Sequence, residues 1–159
     1  MKNYIAHIRI NNKHYEIQSL QDHSDDVAQL TKEFANEFGF GPWGEAMGLL
    51  HDVGKEKDDF QNYIKKTSGY DKNAPSWVDK SHAYVGALVT QKIYGQLSTL
   101  LANQIMGHHR GLLDYPDLEK DLAKPLPLEV DTAIHQLKLP TELLKNFDEK
   151  DFNHLMRML

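Results

Sequence analysis

The sequence predicts an all-α domain introduced by a short β-hairpin, and three observations carry that prediction. From residue 22 onward apolar residues recur at helical spacing, whereas residues 4–17 alternate polar and apolar. The 159-residue chain is 40% hydrophobic, enough for one sizeable core and cramped for two, so residues 1–159 are expected to form a single domain. It contains no cysteine, so the core must hold without disulfides or thiolate clusters.

The segments YIAHIRI (4–10) and HYEI (14–17) flank Asn11-Asn12-Lys13, a combination that favours paired strands around a tight turn. Val27, Leu30, Phe34 and Phe38 then share one helical face, with Asp22 as the expected cap and Gly39 and Gly41-Pro42 as the stop. A second helix is expected to start after Pro42 and run through GEAMGLLHDV to Gly54. Phe60, Tyr63 and Ile64 mark a third, shorter helix, and TSGYDKNAPSW (67–77) reads as a surface loop. Further helices are expected at about 80–94 and 97–109, the latter apolar through Leu100, Leu101 and Ile105 and ending near Gly111. Pro116, Pro125 and Pro127 make 114–127 a connection ahead of helices near 128–137 and 141–159. There is no internal repeat, low-complexity tract or heptad seam.

No apolar run approaches the roughly 18 residues that span a bilayer, and the N-terminus lacks a signal-peptide apolar block. A soluble, cytoplasmic chain with no membrane partner is expected. The formal charge of -5 argues against holding nucleic acid on a broad basic surface, because Lys and Arg normally supply most of that affinity. With cysteine absent, any metal must be held by His and carboxylates, and the nine histidines are the clear compositional excess.

Six residues at or near expected helix ends stand out: His23, His51, Asp52, His82, His108 and His109. Neighbours on a helix point about 100° apart, so His51 and Asp52 converge on one centre only at a helix end, which Gly54 supplies. Lys55 follows and can hold a phosphate oxygen or developing charge. An isolated His-Asp pair is common by accident, and a lone histidine at a helix start is more often solvated. Paired imidazoles at the apolar end of a helix, as in His108-His109, are costly to bury unless a proton acceptor or metal takes their nitrogens. Together the six offer five imidazoles and one carboxylate able to bridge, a set that suits two transition-metal ions sharing a hydroxide. The remaining histidines, 7, 14, 135 and 154, lie outside this arrangement.

The order H…HD…H…HH, carried by DHSDDVAQL, MGLLHDVGK, KSHAYVGALV and IMGHHRGLLD, resembles the HD nuclease domain of the CRISPR-associated helicase-nuclease of type I interference systems. YIAHIR, FGFG, FQNYI and GHHRGL extend the resemblance over nearly the whole chain. It implies an HD-domain helical bundle and a single-stranded DNA nuclease dependent on two divalent transition-metal ions (Mn, Fe, Co, Ni or Zn, with Mg also accepted). It further implies an ATP-dependent helicase domain or subunit and an RNA-guided surveillance complex as partners. His23, His51 and Asp52 would hold one ion and Asp52, His82, His108 and His109 the other, with Asp52 bridging and Lys55 facing the scissile phosphate. The family pattern continues after a segment like DFNHLMRML with an aspartate motif that completes the first shell. The chain stops at Leu159, so a truncated or split product with a weakened first site is expected. No GxxxxGK[ST] segment is present, so an ATP-driven motor must lie elsewhere. Two other readings stay open: an HD phosphohydrolase acting on nucleotides or cyclic nucleotides, and a catalytically inert HD adaptor.

Overall fold

The computed structural model describes residues 3–75, 78–95, 98–128 and 130. Strands β1 (Ile5–Asn11) and β2 (His14–Ser19) pair antiparallel, with Asn11 opposite His14. Asn12 and Lys13, which both have positive φ, form the two-residue turn whose twist matches that of the strands. The ladder slips between Ile5 and His7, so β1 carries a bulge at Ala6.

Helix α1 (Leu20–Asn36) starts earlier than the expected Asp22 cap. Ser19 is its cap: the Ser19 Oγ accepts from the Asp22 backbone N–H at 3.0 Å and its hydroxyl donates to the Asp22 carboxylate at 2.7 Å. The helical period around Val27, Leu30, Phe34 and Phe38 is correct, yet Leu30, Phe34 and Phe38 are exposed, the last by 78%. The buried face is Leu20, Ser24 and Ala28. That face wins because α2 (Gly41–Leu50) presents glycines to it. A Cβ on Gly48 would lie 2.3 Å from the Ala28 Cα, so the two backbones touch and large side chains cannot enter the seam. Thr31 ties the contact by donating to the Gly44 carbonyl at 2.6 Å.

Pro42 lies in the first turn of α2, as expected, but the helix ends at Leu50 and the chain tightens into a 3₁₀ turn at Val53–Glu56. Gly54 therefore sits inside that turn and does not end the helix. Then follow α3 (Asp58–Thr67), α4 (Ala83–Tyr94), α5 (Thr99–Gly107) and α6 (Tyr115–Leu122). The last of these corrects the connection expected over 114–127. Asp114 caps α6 by accepting from the Asp117 N–H, and Pro116 in the first turn is a helix starter and not a breaker. The helices expected near 128–137 and 141–159 fall almost wholly outside the described residues.

The described residues thus form a mostly helical bundle with a two-stranded hairpin, the fold class the sequence predicts. Leu50, Val53, Val85, Val89, Leu101 and Ile105 form the main core where the end of α2 meets α4 and α5. No helix among the described residues is long and apolar enough to cross a membrane.

The α1/α2 seam makes a prediction. Gly48→Ala gains roughly 1 kcal/mol of helix propensity, but overpacking at backbone contact costs about 1–3 kcal/mol and the close approach places it at the upper end. The urea midpoint is expected to fall at unchanged m-value, and a midpoint that rises would show that the seam has slack.

Candidate metal centre

Asp52 follows the C-cap of α2, and its side chain is almost fully buried. Four other elements turn toward it. His23 comes from the second turn of α1, His51 is the C-cap of α2, His82 is the N-cap of α4, and His108 and His109 lie at the end of α5. On one side, the His23 and His51 Nε2 atoms stand 3.0 and 3.2 Å from Asp52 Oδ2 and 3.2 Å from each other. On the other, the His82 and His108 Nε2 atoms lie 3.2 and 3.5 Å from Oδ1, and His109 Nε2 is 3.0 Å from His82 Nε2. All six residues singled out in the sequence are therefore brought together.

Local structure fixes which nitrogen each ring presents. The His51 Nδ1 donates to the Gly48 carbonyl at 2.8 Å, and the His108 Nδ1 donates to the Ile105 carbonyl at 2.6 Å. Both histidines thus satisfy a helix-end carbonyl three residues back, and a carbonyl only accepts, so the proton is on Nδ1. In the neutral ring Nε2 is then a lone pair aimed at a carboxylate oxygen. Acceptors face acceptors in this arrangement, which demands a cation between them, either a proton or a metal.

Three features fit a metal. Asp52 Oδ1 is buried and has no hydrogen-bond partner among the described residues, although imidazole nitrogens crowd it. Ligands about 2.1 Å from one ion are spaced by about 3.0–3.4 Å, matching the spacings given above. Asp52, His82, His108 and His109 each offer an atom within 4.8 Å of the others, and so do His7, His23 and Asp52. The donor set, imidazole nitrogen plus carboxylate oxygen, suits divalent transition ions.

The electrostatics agree. Burial alone would raise the Asp52 pKa, but the imidazoles of His108, His51 and His82 reverse this and hold the carboxyl far below the usual range, so it is ionised. Burial acts to lower the His108 pKa, yet Asp52 and the Ile105 carbonyl outweigh it and raise the pKa above 6.5. Burial lowers the pKa of His23 and, with its neighbours His108 and His82, that of His109. Glu56 is the remaining buried acid in the 3₁₀ turn, and desolvation pushes it up to about 7.

Lys55, expected to face the scissile phosphate, is held against Asp52. Its side chain is buried, its ammonium pairs with Asp52 Oδ2 at 2.8 Å, and it donates to the Ala6 carbonyl at 3.3 Å. Gly54 explains how His82 reaches the centre, since a Cβ there would lie 2.3 Å from the His82 carbonyl oxygen. Lys57 secures the same strand of chain by donating to Asp79 at 2.5 Å and to the Ser81 carbonyl at 2.8 Å.

Sequence reasoning missed His7, which the structure brings to the centre with its ring 4.7 Å from that of His23. Its usable signal was the YIAHIR segment, but the bulge that aims it leaves no mark in the residue pattern. His14 is exposed on β2, and His135 and His154 lie outside the described residues. The centre opens into a cleft of about 850 Å³ lined by His82, His109, Tyr63, Lys80, Arg110 and Lys124, among others. Lys65 and Lys66 end α3, outside this lining, and Tyr70 packs edge-on against Tyr15. Trp77 lies outside the described residues.

A model of the HD domain matches residues 20–140. The chain belongs to the HD domain family. HD domains are generally metal-dependent phosphohydrolases, and the centre around Asp52 holds the donors such chemistry needs. No curated protein matches this HD domain.

Competition between protons and metal fixes the sign of a pH effect. A ring must be neutral to give its lone pair, and His108, with its folded pKa above 6.5, loses its proton later than an ordinary imidazole. Affinity for Mn(II) or Zn(II) is expected to keep rising as pH increases past 6.5, with proton release that His108→Ala reduces. Calorimetric titration in buffers of different ionisation heat reads this directly, and an affinity flat above that pH would contradict it.

Proposed function

We propose that this HD domain is a metal-dependent nuclease that hydrolyses phosphodiester bonds of single-stranded DNA in an RNA-guided interference system. The observation that carries the reading is Asp52, buried with imidazole nitrogens crowded around both of its oxygens. Such a carboxylate is suited to bridge two divalent ions, with His23 and His51 on one side and His82, His108 and His109 on the other. When bound, such ions supply an acidified water and neutralise charge on the phosphate.

The protein groups then have positioning roles. Gly48 and Ile105 carbonyls orient His51 and His108, and Lys55 balances the charge of Asp52 without leaving the interior. Arg110, Lys80 and Lys124 stand along the cleft, where they can meet backbone phosphates, while Tyr63 packs against Phe60 under the Lys80 ammonium. Arg110 and Lys124 also pair with Asp121, so the cleft is a weak electrostatic track. That weakness, with the net charge of -5, supports delivery of the strand by a partner such as an ATP-dependent helicase within a surveillance complex. The resemblance of the H…HD…H…HH order to the type I nuclease domain supports the same assignment.

The test is metal content after purification without chelator, together with cleavage of circular single-stranded DNA in added Mn(II) or Ni(II). Bound metal and nicking are expected, with at least a hundredfold loss on His51→Ala/Asp52→Ala. Turnover of nucleoside triphosphates or cyclic dinucleotides with DNA left intact would replace this reading by a nucleotide phosphohydrolase. Absence of all turnover with metal bound would leave an adaptor.

A further inference from the structure

His7 stands apart from the other histidines of the centre: it comes from the hairpin, ahead of residues 20–140 that match the HD domain. Its position is built. The bulge at Ala6 turns β1 so that Ala6 is fully buried. The side chain of Gln61, itself buried, accepts from the Ile5 N–H at 2.9 Å and donates to the Ile5 carbonyl at 2.9 Å and the Lys55 carbonyl at 2.7 Å. Lys55 adds its bond to the Ala6 carbonyl. Backbone on both sides of Ala6 is therefore tied to the turn that follows Asp52, and the next residue, His7, is delivered to the centre.

The His7 and His23 rings meet at 82°, so they do not stack face to face. One atom each of His7, His23 and Asp52 falls within 4.8 Å of the others. Without His7 the two sides of Asp52 are unequal, with three imidazoles near Oδ1 and two near Oδ2. We infer that His7 is a metal ligand, the third imidazole on the His23 side of Asp52, and that the hairpin thereby completes a second ion site. The inference rests on the proposal that Asp52 bridges divalent ions.

Equilibrium binding of Co(II) to the full chain tests it, read by metal analysis and by the visible absorption that reports coordination. His7→Ala, His7→Gln, His7→Asp and, as a control on the same hairpin, His14→Ala are compared. The expected result is two ions on the unaltered chain. His7→Ala and His7→Gln should keep one ion unchanged and weaken the other roughly tenfold to a hundredfold or more. His7→Asp, which restores a ligand atom, should recover much of the loss, and His14→Ala should bind as the parent does. Two ions bound with unchanged affinity in His7→Ala would overturn the role of His7 and leave the dinuclear reading intact. Equal weakening of both ions, with lower thermal stability of the metal-free variant, would overturn it in favour of packing against His23. A parent chain that binds no ion, or one, would overturn both readings.

Discussion

The fold is organised around the cost of burying the Asp52 carboxylate. An ionised carboxyl at 4% side-chain exposure is unstable in a protein interior unless cationic or hydrogen-bonding groups surround it. Here the compensation comes from Lys55 in the adjoining turn and from imidazoles on α1, α2, α4 and the end of α5. Those elements are separated by up to 85 positions of sequence if counted from His23 to His108, so the charge is tolerated only when the bundle is assembled. A site of this kind couples ion binding to folding, because the donors do not converge in the unfolded chain.

Backbone proximity is what allows so many ends to meet. Gly48 lets α2 lie against α1, which sets His51 beside His23, and Gly54 lets the turn after Asp52 lie against the His82 carbonyl. Polar groups then fix the approach. Lys57 holds Asp79 and Ser81 ahead of His82, and Gln61 holds β1. A ligand cluster needs such supports because an error of about half an ångström in donor position already degrades a site.

Much of this was legible in the sequence. The helical period, the hairpin, and the six ligand candidates at helix ends follow from residue type and spacing, because helix ends are where adjacent residues such as His51 and Asp52 can point to one centre. What was not legible depends on close packing. Leu30, Phe34 and Phe38 show the helical period, but the period does not tell which face is buried: small residues claimed the seam with α2 and left these three exposed. Pro116 read as part of a connection because three prolines cluster, although one in a first turn starts a helix. His7 was passed over because a bulge shifts which side chains face inward, and only the partner strand and Gln61 reveal it.

The electrostatics of the centre also bear on how an acidic chain could engage a polyanion. Ionised Asp52 and the Lys55 ammonium cancel, and His23 and His109, with lowered pKa values, remain neutral near pH 7. Each divalent ion held there therefore adds positive charge at the centre, two units less any proton that His108 gives up, and buried surroundings screen it less than bulk water does. Surface charge adds little, since Asp121 neutralises Arg110 and Lys124 along the cleft, and Asp79 there pairs with the buried Lys57. Attraction for phosphate is thus concentrated at the reacting position and not spread along the strand. Under the proposed function, such a domain would cut a strand presented to it but track one poorly by itself, and its hold on DNA would depend on the bound ions more than on its lysines and arginines.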